Sequence, residues 1–245
     1  HHEKLCSVDD LNIKTRLSSS ATSGVPSTIL VDKITAKRQV RALTSVLTEI
    51  LGSCRLPFSV FDVNPIALKP GALGARSAAI RGFLNFASTT AYLMQESAQS
   101  QLALNETLLN EHFNACQKKD NANVIIGFTY ILYQHVVLPL LKKRRSFSLP
   151  PSTKILHIGG WKKLESIKVD KKTFNNALAA VFGISTKNII DIYGFTEQMG
   201  IVYPDDADQN KCVPAFSKVI VRNAETLEPL PEGEIGLLEF ISPVP

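Results

Sequence analysis

Cysteine is scarce in these 245 residues and widely scattered. Cys6, Cys54, Cys116 and Cys212 lie 48, 62 and 96 residues apart, which excludes a CxxC redox or zinc pair and a dense disulfide framework. Such spacing suits reduced thiols and a cytoplasmic protein. Neither GxGxxG nor GxxxxGK[ST] occurs, so the usual dinucleotide and Walker phosphate loops are absent. No tripeptide or heptad repeat is present, which excludes collagen and coiled coil, and 44% hydrophobic residues exclude disorder. A membrane span is also missing. The most apolar stretch, Val124 to Leu141, has 13 apolar residues in 18 but is interrupted by Gly127, Thr129, Gln134, His135 and Pro139, at the lower limit for crossing a bilayer. It reads better as a buried strand, Val124 to Gly127, followed by a buried helix, Tyr130 to Leu141.

Charge is nearly balanced. There are 27 basic and 22 acidic residues, a net +5, and the sharpest cluster is Lys142-Lys143-Arg144-Arg145. With no zinc-finger spacing, RNP-like segment or basic heptad helix beside it, this run reads as a helix end whose cations oppose the negative pole of the helix dipole, and no nucleic-acid partner is expected. The modest positive excess suits a polyphosphate substrate.

Strand-like and helix-like segments alternate along most of the chain. Strands are expected at Thr15 to Ser19, Thr28 to Asp32, Leu56 to Val63, Val124 to Gly127, Lys154 to Ile158 and Asn188 to Tyr193. Thr35 is positioned to cap a helix with the face Val40, Leu43, Leu47, Ile50 and Leu51, ended by Gly52. Further helices are expected over Gly71 to Phe86, over Asn105 to Lys119 with Cys116 on its apolar face, and after Asp170 with the stripe Phe174, Leu178, Val181 and Phe182. The pattern predicts an α/β fold with mostly parallel sheet flanked by helices over residues 1–212. From Val213 the character changes to β-rich segments, Ser217 to Arg222 and Ile235 to Ile241, which predicts the start of a small antiparallel β unit over residues 213–245.

Two segments carry chemical potential. Ser18 to Ser27 holds five serines, one threonine and one glycine in ten residues, so its hydroxyls and backbone N–H groups could wrap phosphate oxygens; a plain Ser/Gly hairpin loop has the same composition. The second, Asp191-Ile192-Tyr193-Gly194-Phe195-Thr196-Glu197-Gln198, leaves a buried strand. An aromatic, a glycine, a hydroxyl and a carboxylate at a strand's carboxyl end can stack a base, admit a ligand, bind phosphate and hold Mg²⁺.

Taken together, Ser-Ser-x-Thr-x-Gly-x-Pro and, 175 residues later, Tyr-Gly-x-Thr-Glu resemble the adenylate-forming superfamily of acyl-CoA synthetases, luciferases and adenylation domains. Within it, Ile155 to Leu164, with Gly159-Gly160-Trp161-Lys162, resembles the LuxE-type acyl-protein synthetases, as do Gly127-Phe128-Thr129 and Ala75-Arg76 with Ile80 to Phe83. The resemblance runs from Leu5 to Pro245. It implies ATP-dependent activation of a fatty or other carboxylic acid to acyl-AMP, followed by transfer to a thiol of a protein or of CoA, with an acyl reductase as a further partner. It also implies roles: Ser19, Ser20, Thr22, Ser23 and Gly24 on the β- and γ-phosphates, Gly159 and Gly160 along the adenine, and Tyr193 and Gly194 against it. Thr196 would contact the α-phosphate and Glu197 would coordinate Mg²⁺. Trp161 is either a wall of the nucleotide pocket or a core anchor. Phe128, Tyr130, His135 and Phe195 are candidate walls of an acyl pocket.

The chain departs from that pattern in places. Ala21 replaces a glycine common in the phosphate loop, and Ser27 stands where many superfamily members carry Lys, though LuxE-type loops often have Ser. In the family, the strand matching Gly233-Glu234-Ile235-Gly236 leads on to a ribose-binding aspartate, a hinge and a mobile C-terminal lid with a lysine and an acceptor cysteine. The sequence ends at Pro245, so a truncated chain without the lid is expected. Two other readings remain open on sequence alone: a carboxylate–CoA ligase of the phenylacetate type, and a non-catalytic nucleotide- or acyl-binding module.

Overall fold

Residues 9–18, 28–65, 75–96, 101–119, 122–161, 166 and 168–244 are described by a computed structural model. The chain starts with a hairpin, β1 (Ile13–Ser18) against β2 (Thr28–Asp32), in which Ser18 pairs with Thr28. Helix α1 (Lys33–Leu51) follows at once. Its cap is Asp32, whose carboxylate accepts the Thr35 N–H at 2.6 Å, so Thr35 is the capped residue and not the cap. An ionised oxygen outcompetes a hydroxyl for the free amides of a first turn. The inward face is Ala42, Leu43, Val46, Leu47 and Leu51, whereas Val40 is 48% exposed and Ile50 half-buried, so the buried stripe is rotated about the helix axis from the expected one.

The central sheet has seven strands. β3 (Leu56–Val63), α2 (Ala75–Phe83), β4 (Ala87–Glu96), β5 (Leu102–Leu104), α3 (Glu106–Lys119) and β6 (Val124–Phe128) precede α4 (Thr129–Ile131), a π-helical segment (Leu132–Val137) and α5 (Leu138–Lys142). Then come β7 (Lys154–Ile158), α6 (Lys171–Phe182), β8 (Ile189–Tyr193) and β9 (Tyr203–Pro204). The sheet order is β5-β4-β3-β6-β7-β8-β9, parallel from β4 to β8, with antiparallel β5 and β9 at the two margins. Strand β6 is buried at every position, as a centre strand covered on both faces must be.

The sequence pattern did not indicate β4, β5 or β9. Strand β4 reads Ala-Ser-Thr-Thr-Ala-Tyr-Leu-Met-Gln-Glu and is mostly exposed or half-buried, so no apolar run marks it. The helix expected over Gly71 to Phe86 is described from Ala75; it becomes a 3-10 turn at Leu84–Phe86, and residues 71–74 lie outside the described residues. The helix expected over Tyr130 to Leu141 is present but widened. The Leu138 N–H donates to the Tyr133 carbonyl, five residues back, just before Pro139, which has no N–H to offer.

Helix α6 is as its stripe predicts. Asp170 caps it through the Thr173 N–H at 2.8 Å, and Phe174, Leu178, Val181 and Phe182 are buried. The chain closes with a separate two-stranded antiparallel sheet, β10 (Lys218–Arg222) and β11 (Leu237–Ile241). Ile235, expected within the last strand, precedes it and is 99% exposed. No helix among the described residues is long and apolar enough to cross a membrane. Within the basic run, Lys143 and Arg145 both pair with Glu106 of α3, and Arg145 also bonds Asn110.

Candidate functional site

Parallel strands leave their carboxyl ends on one rim of the sheet, and in open α/β sheets that rim is where ligands bind. Here Phe128 ends β6, Ile158 ends β7 ahead of Gly159-Gly160, and Tyr193 ends β8. Phe128 is paired with Ile158, and Ile158 with Ile192, so the three ends lie side by side. The sequence-predicted Gly159, Gly160, Tyr193, Gly194, Thr196 and Glu197 are therefore brought to one edge, across two adjacent strands.

Each has a distinct setting. Gly159 has φ +80°, and a Cβ there would come within 3.0 Å of Phe128 Cδ1; at Gly160 nothing stands within 4 Å of such an atom, so the backbone faces open space. Gly194 would meet only ordinary contacts, the nearest Val202 Cγ1 at 3.5 Å. Tyr193 is 43% exposed, and its ring lies nearly parallel to Phe240 of β11 at 6.0 Å between centroids. Phe195 packs on Phe240 at 4.9 Å, and Tyr203 at 5.1 Å. This aromatic group joins the main sheet to the small one. Thr196 to Gln198 form a single 3-10 turn in which Glu197 is exposed and Gln198 is buried, the Gln198 Oε1 accepting the Tyr203 hydroxyl at 2.8 Å. At Gly200 (φ +89°) the loop runs so near α1 that a Cβ would lie 2.5 Å from Gln39 Cα. Anchored at both points, the loop presents Glu197 to an open depression of about 370 Å³ lined by Phe195, Gln198, Phe240, Ser242 and Val244.

Other predicted residues are placed differently. Ser19, Ser20, Thr22, Ser23 and Gly24 lie outside the described residues. Trp161 is buried, edge-on to Tyr133 at 5.2 Å and to Phe174 at 6.0 Å, in the packing between the segment after β6 and α6. Phe128 and Tyr130 stand together at the end of β6, 6.4 Å apart. His135 is half-buried and hydrogen-bonded to the backbone of Leu102 on β5, while Phe195 packs beside β9. Phe128 and Tyr130 thus stand at the centre of the sheet, with His135 and Phe195 toward its opposite margins. Cys116 is half-buried with its Sγ 3.8 Å from His112 Nε2.

Three features of the rim were not among the expected site residues, although Arg76 and His157 lie within segments that carry the family resemblance. The first is an ion pair at the end of β3. Asp62 is buried, its Oδ1 accepts the Val63 N–H, and its Oδ2 accepts Arg76 Nε at 2.8 Å; Arg76 Nη1 also donates to Tyr130 Oη at 3.3 Å. Burial pushes the Asp62 carboxyl up, against the pull of the guanidinium. Beside it, a cavity of about 580 Å³ opens between Val63, Asn64, Thr90, Tyr92, Met94 and Leu108. The second is His157, buried on β7, whose Nδ1 is 2.9 Å from Thr129 Oγ1 and 3.6 Å from Asp191 Oδ1. Burial drives its pKa down to about 4, outweighing the neighbouring carboxylates, so the ring is neutral at pH 7. The third is Phe240, which an isolated Phe in a β segment does not advertise.

Among the described residues no cluster of three or more His, Cys, Asp or Glu side chains could hold a metal. A single exposed carboxylate such as Glu197 nonetheless suits Mg²⁺, which keeps several waters and takes most of its other ligands from phosphate.

Comparison with known proteins gives a consistent result. The sequence matches the family model described as acyl-protein synthetase, LuxE, over residues 1–245. The long-chain-fatty-acid–luciferin-component ligase of Vibrio harveyi is 24% identical over 238 residues, which cover 97% of this chain and 61% of that protein. Its counterpart in Aliivibrio fischeri is 30% identical over 115 residues, 46% of this chain and 29% of that protein. The chain thus spans less than two thirds of the length of these relatives. Among solved structures, ATP-bound MatB from Rhodopseudomonas palustris superimposes with a TM-score of 0.58 at 13% identity, covering 97% of this chain and 41% of that one. The long-chain-fatty-acid-CoA ligase FadD1 from Archaeoglobus fulgidus does so with 0.63 at 13% identity, covering 94% and 42%. These likenesses show a shared fold.

Proposed function

Because the chain belongs to the LuxE acyl-protein synthetase family, we propose that it carries the nucleotide-handling part of a fatty-acid–protein ligase. The reaction is ATP-dependent formation of an acyl-adenylate from a long-chain carboxylic acid, followed by transfer to a protein cysteine. The observation that carries the reading is the convergence of Gly159-Gly160, Tyr193 and Thr196-Glu197 on one rim, with an open backbone at Gly160 and an exposed ring at Tyr193.

In the first half-reaction a carboxylate oxygen of the acid bonds to the α-phosphorus as the bond to the β-phosphate bridging oxygen breaks, releasing pyrophosphate. In the second, a thiolate attacks the acyl carbon and AMP departs. Neither step needs a covalent group from this part of the protein; positioning and charge neutralisation carry the first. The backbone at Gly159-Gly160 gives the adenine a flat seat, and the Tyr193 ring, held against Phe240, stacks on it. The Thr196 hydroxyl donates to the α-phosphate. Glu197 would hold Mg²⁺, which when bound would supply charge to offset that of the phosphates. Ser19, Ser20, Thr22, Ser23 and Gly24 contribute hydroxyl and amide donors to the outer phosphates. Tyr130 and His135, with the cavity beside Val63, are the side from which the acyl chain enters.

The lining of the rim by tyrosine and glycine, in place of a Walker loop, is what supports a stacked adenine. Isothermal titration of the chain with ATP tests this. Binding that requires Mg²⁺ and is lost in Tyr193→Ala and Glu197→Ala is expected; no binding by the folded protein would sink the reading.

A further inference from the structure

Side chains alternate along a strand, so on β7 the residues Ile155, His157 and then Gly159 share one face, and on β8 Asp191 shares a face with Tyr193. The partners in register are Gly127, His157 and Asp191 across β6, β7 and β8. His157 therefore sits one pleat beneath Gly159, and Asp191 one pleat beneath Tyr193. The imidazole is buried against the Phe174 ring at 4.8 Å, and its Nδ1 meets both Thr129, the residue following Phe128, and the Asp191 carboxylate.

Asp191 is itself held. Lys211 Nζ contacts Asp191 Oδ2 at 2.9 Å and Asp205 Oδ1 at 3.1 Å, and it donates to the Asp191 carbonyl at 2.8 Å. Asp205, 2% exposed, is also paired with Lys171 of α6 at 2.6 Å. The Asp191 N–H donates to Asp205 Oδ2, and the Asp205 N–H to the Asp191 carbonyl. The His157 ring on β7 thus joins the β6 end to a network that fixes β8, the segment after β9 and the start of α6.

We infer that His157 is a positioning residue: through Thr129 and Asp191 it ties together the three strands that end in Phe128, Gly159 and Tyr193, and so sets the spacing at which a nucleotide is gripped. The inference rests on the nucleotide reading of the rim given above. A burial role alone would be met by an apolar side chain of similar size, because Phe174 of α6 already packs on the position. The buried Thr129 hydroxyl would then be left without its partner, and a hydrogen bond of this kind is worth up to roughly a tenfold change in affinity if it is expressed in binding.

The test is Mg·ATP affinity by isothermal titration on the chain, with melting temperature recorded for each variant. His157→Leu keeps the bulk and Thr129→Val deletes one hydroxyl; each is expected to weaken binding about tenfold. His157→Asn, which retains an amide near the Nδ1 position, is expected to stay within about twofold of wild type. Leu178→Ala destabilises α6 without touching the network and should leave affinity unchanged. Should His157→Leu not fold, Thr129→Val carries the test. Wild-type affinity in both Thr129→Val and His157→Leu, or an equal loss in Leu178→Ala, overturns the inference. Failure of the wild type to bind at all overturns the nucleotide reading and the inference with it, and is told apart from failure of the inference alone, in which the wild type still binds.

Discussion

Gly159 and Phe128 leave no room between them for a single methyl group: a Cβ at Gly159 would lie 3.0 Å from Phe128 Cδ1, on a backbone with φ +80°. The turn that brings the chain over the end of β7 is thus closed by the aromatic that ends β6.

Gly159→Ala is expected to destabilise the protein by about 1–3 kcal/mol, since a left-handed backbone is strained for any residue with a Cβ and the Phe128 ring must shift as well. Gly160→Ala, facing open space, should leave the denaturation midpoint unchanged yet weaken nucleotide binding. Urea melts and titration on the two variants separate the effects; equal loss of stability in both would contradict the assignment.

Stability should depend on pH through His157. The unfolded histidine takes up a proton near pH 6.5, whereas in the folded protein burial delays this to about pH 4. Between those values the unfolded state binds more protons, so stability falls as pH drops from about 6.5 to about 4 and this contribution is complete at pH above 6.5. The full swing is on the order of 3 kcal/mol. Urea midpoints across that window should show the slope in wild type and a flatter one in His157→Asn.

Removing the α1 cap by Asp32→Ala should cost about 1 kcal/mol, because the Thr35 amide loses its acceptor. Asp32→Asn should restore most of it. A midpoint unchanged in the alanine variant would show that the cap is redundant.

Glu197→Gln should leave the melting temperature within about 1 °C of wild type, since surface substitutions away from special features change stability little and this side chain is exposed. Mg²⁺-dependent ATP binding should nevertheless be lost. Persistence of that binding would move the metal ligand elsewhere.

Much of the molecule was legible before folding. The buried strand β6, the α6 stripe with its Asp170 cap, and the parallel architecture all follow from local periodicity and end signals. The marginal strands β5 and β9 and the half-exposed β4 beside β5 were not, because a half-exposed strand needs no apolar run and is specified by its neighbour. The buried face of α1 takes in Ala42 and Val46 in place of Val40 and Ile50, because which of several apolar residues is buried depends on what packs against the helix and not on its own periodicity.

The amino-acid sequence by itself determined the chemistry available on the rim: a tyrosine, glycines, a threonine and a carboxylate at strand ends, and the alternation of elements that puts those ends on one side. Only the tertiary structure decided that Trp161 lies in the core packing against Tyr133 and Phe174, that Phe240 from the last strand backs Tyr193, and that Arg76 is committed to Asp62. It also decided that His157 is a neutral tie between three strands. The reason is physical: residue type and spacing act locally, whereas burial, pKa and partner choice depend on side chains that are far apart in the chain and meet only when the sheet closes its register.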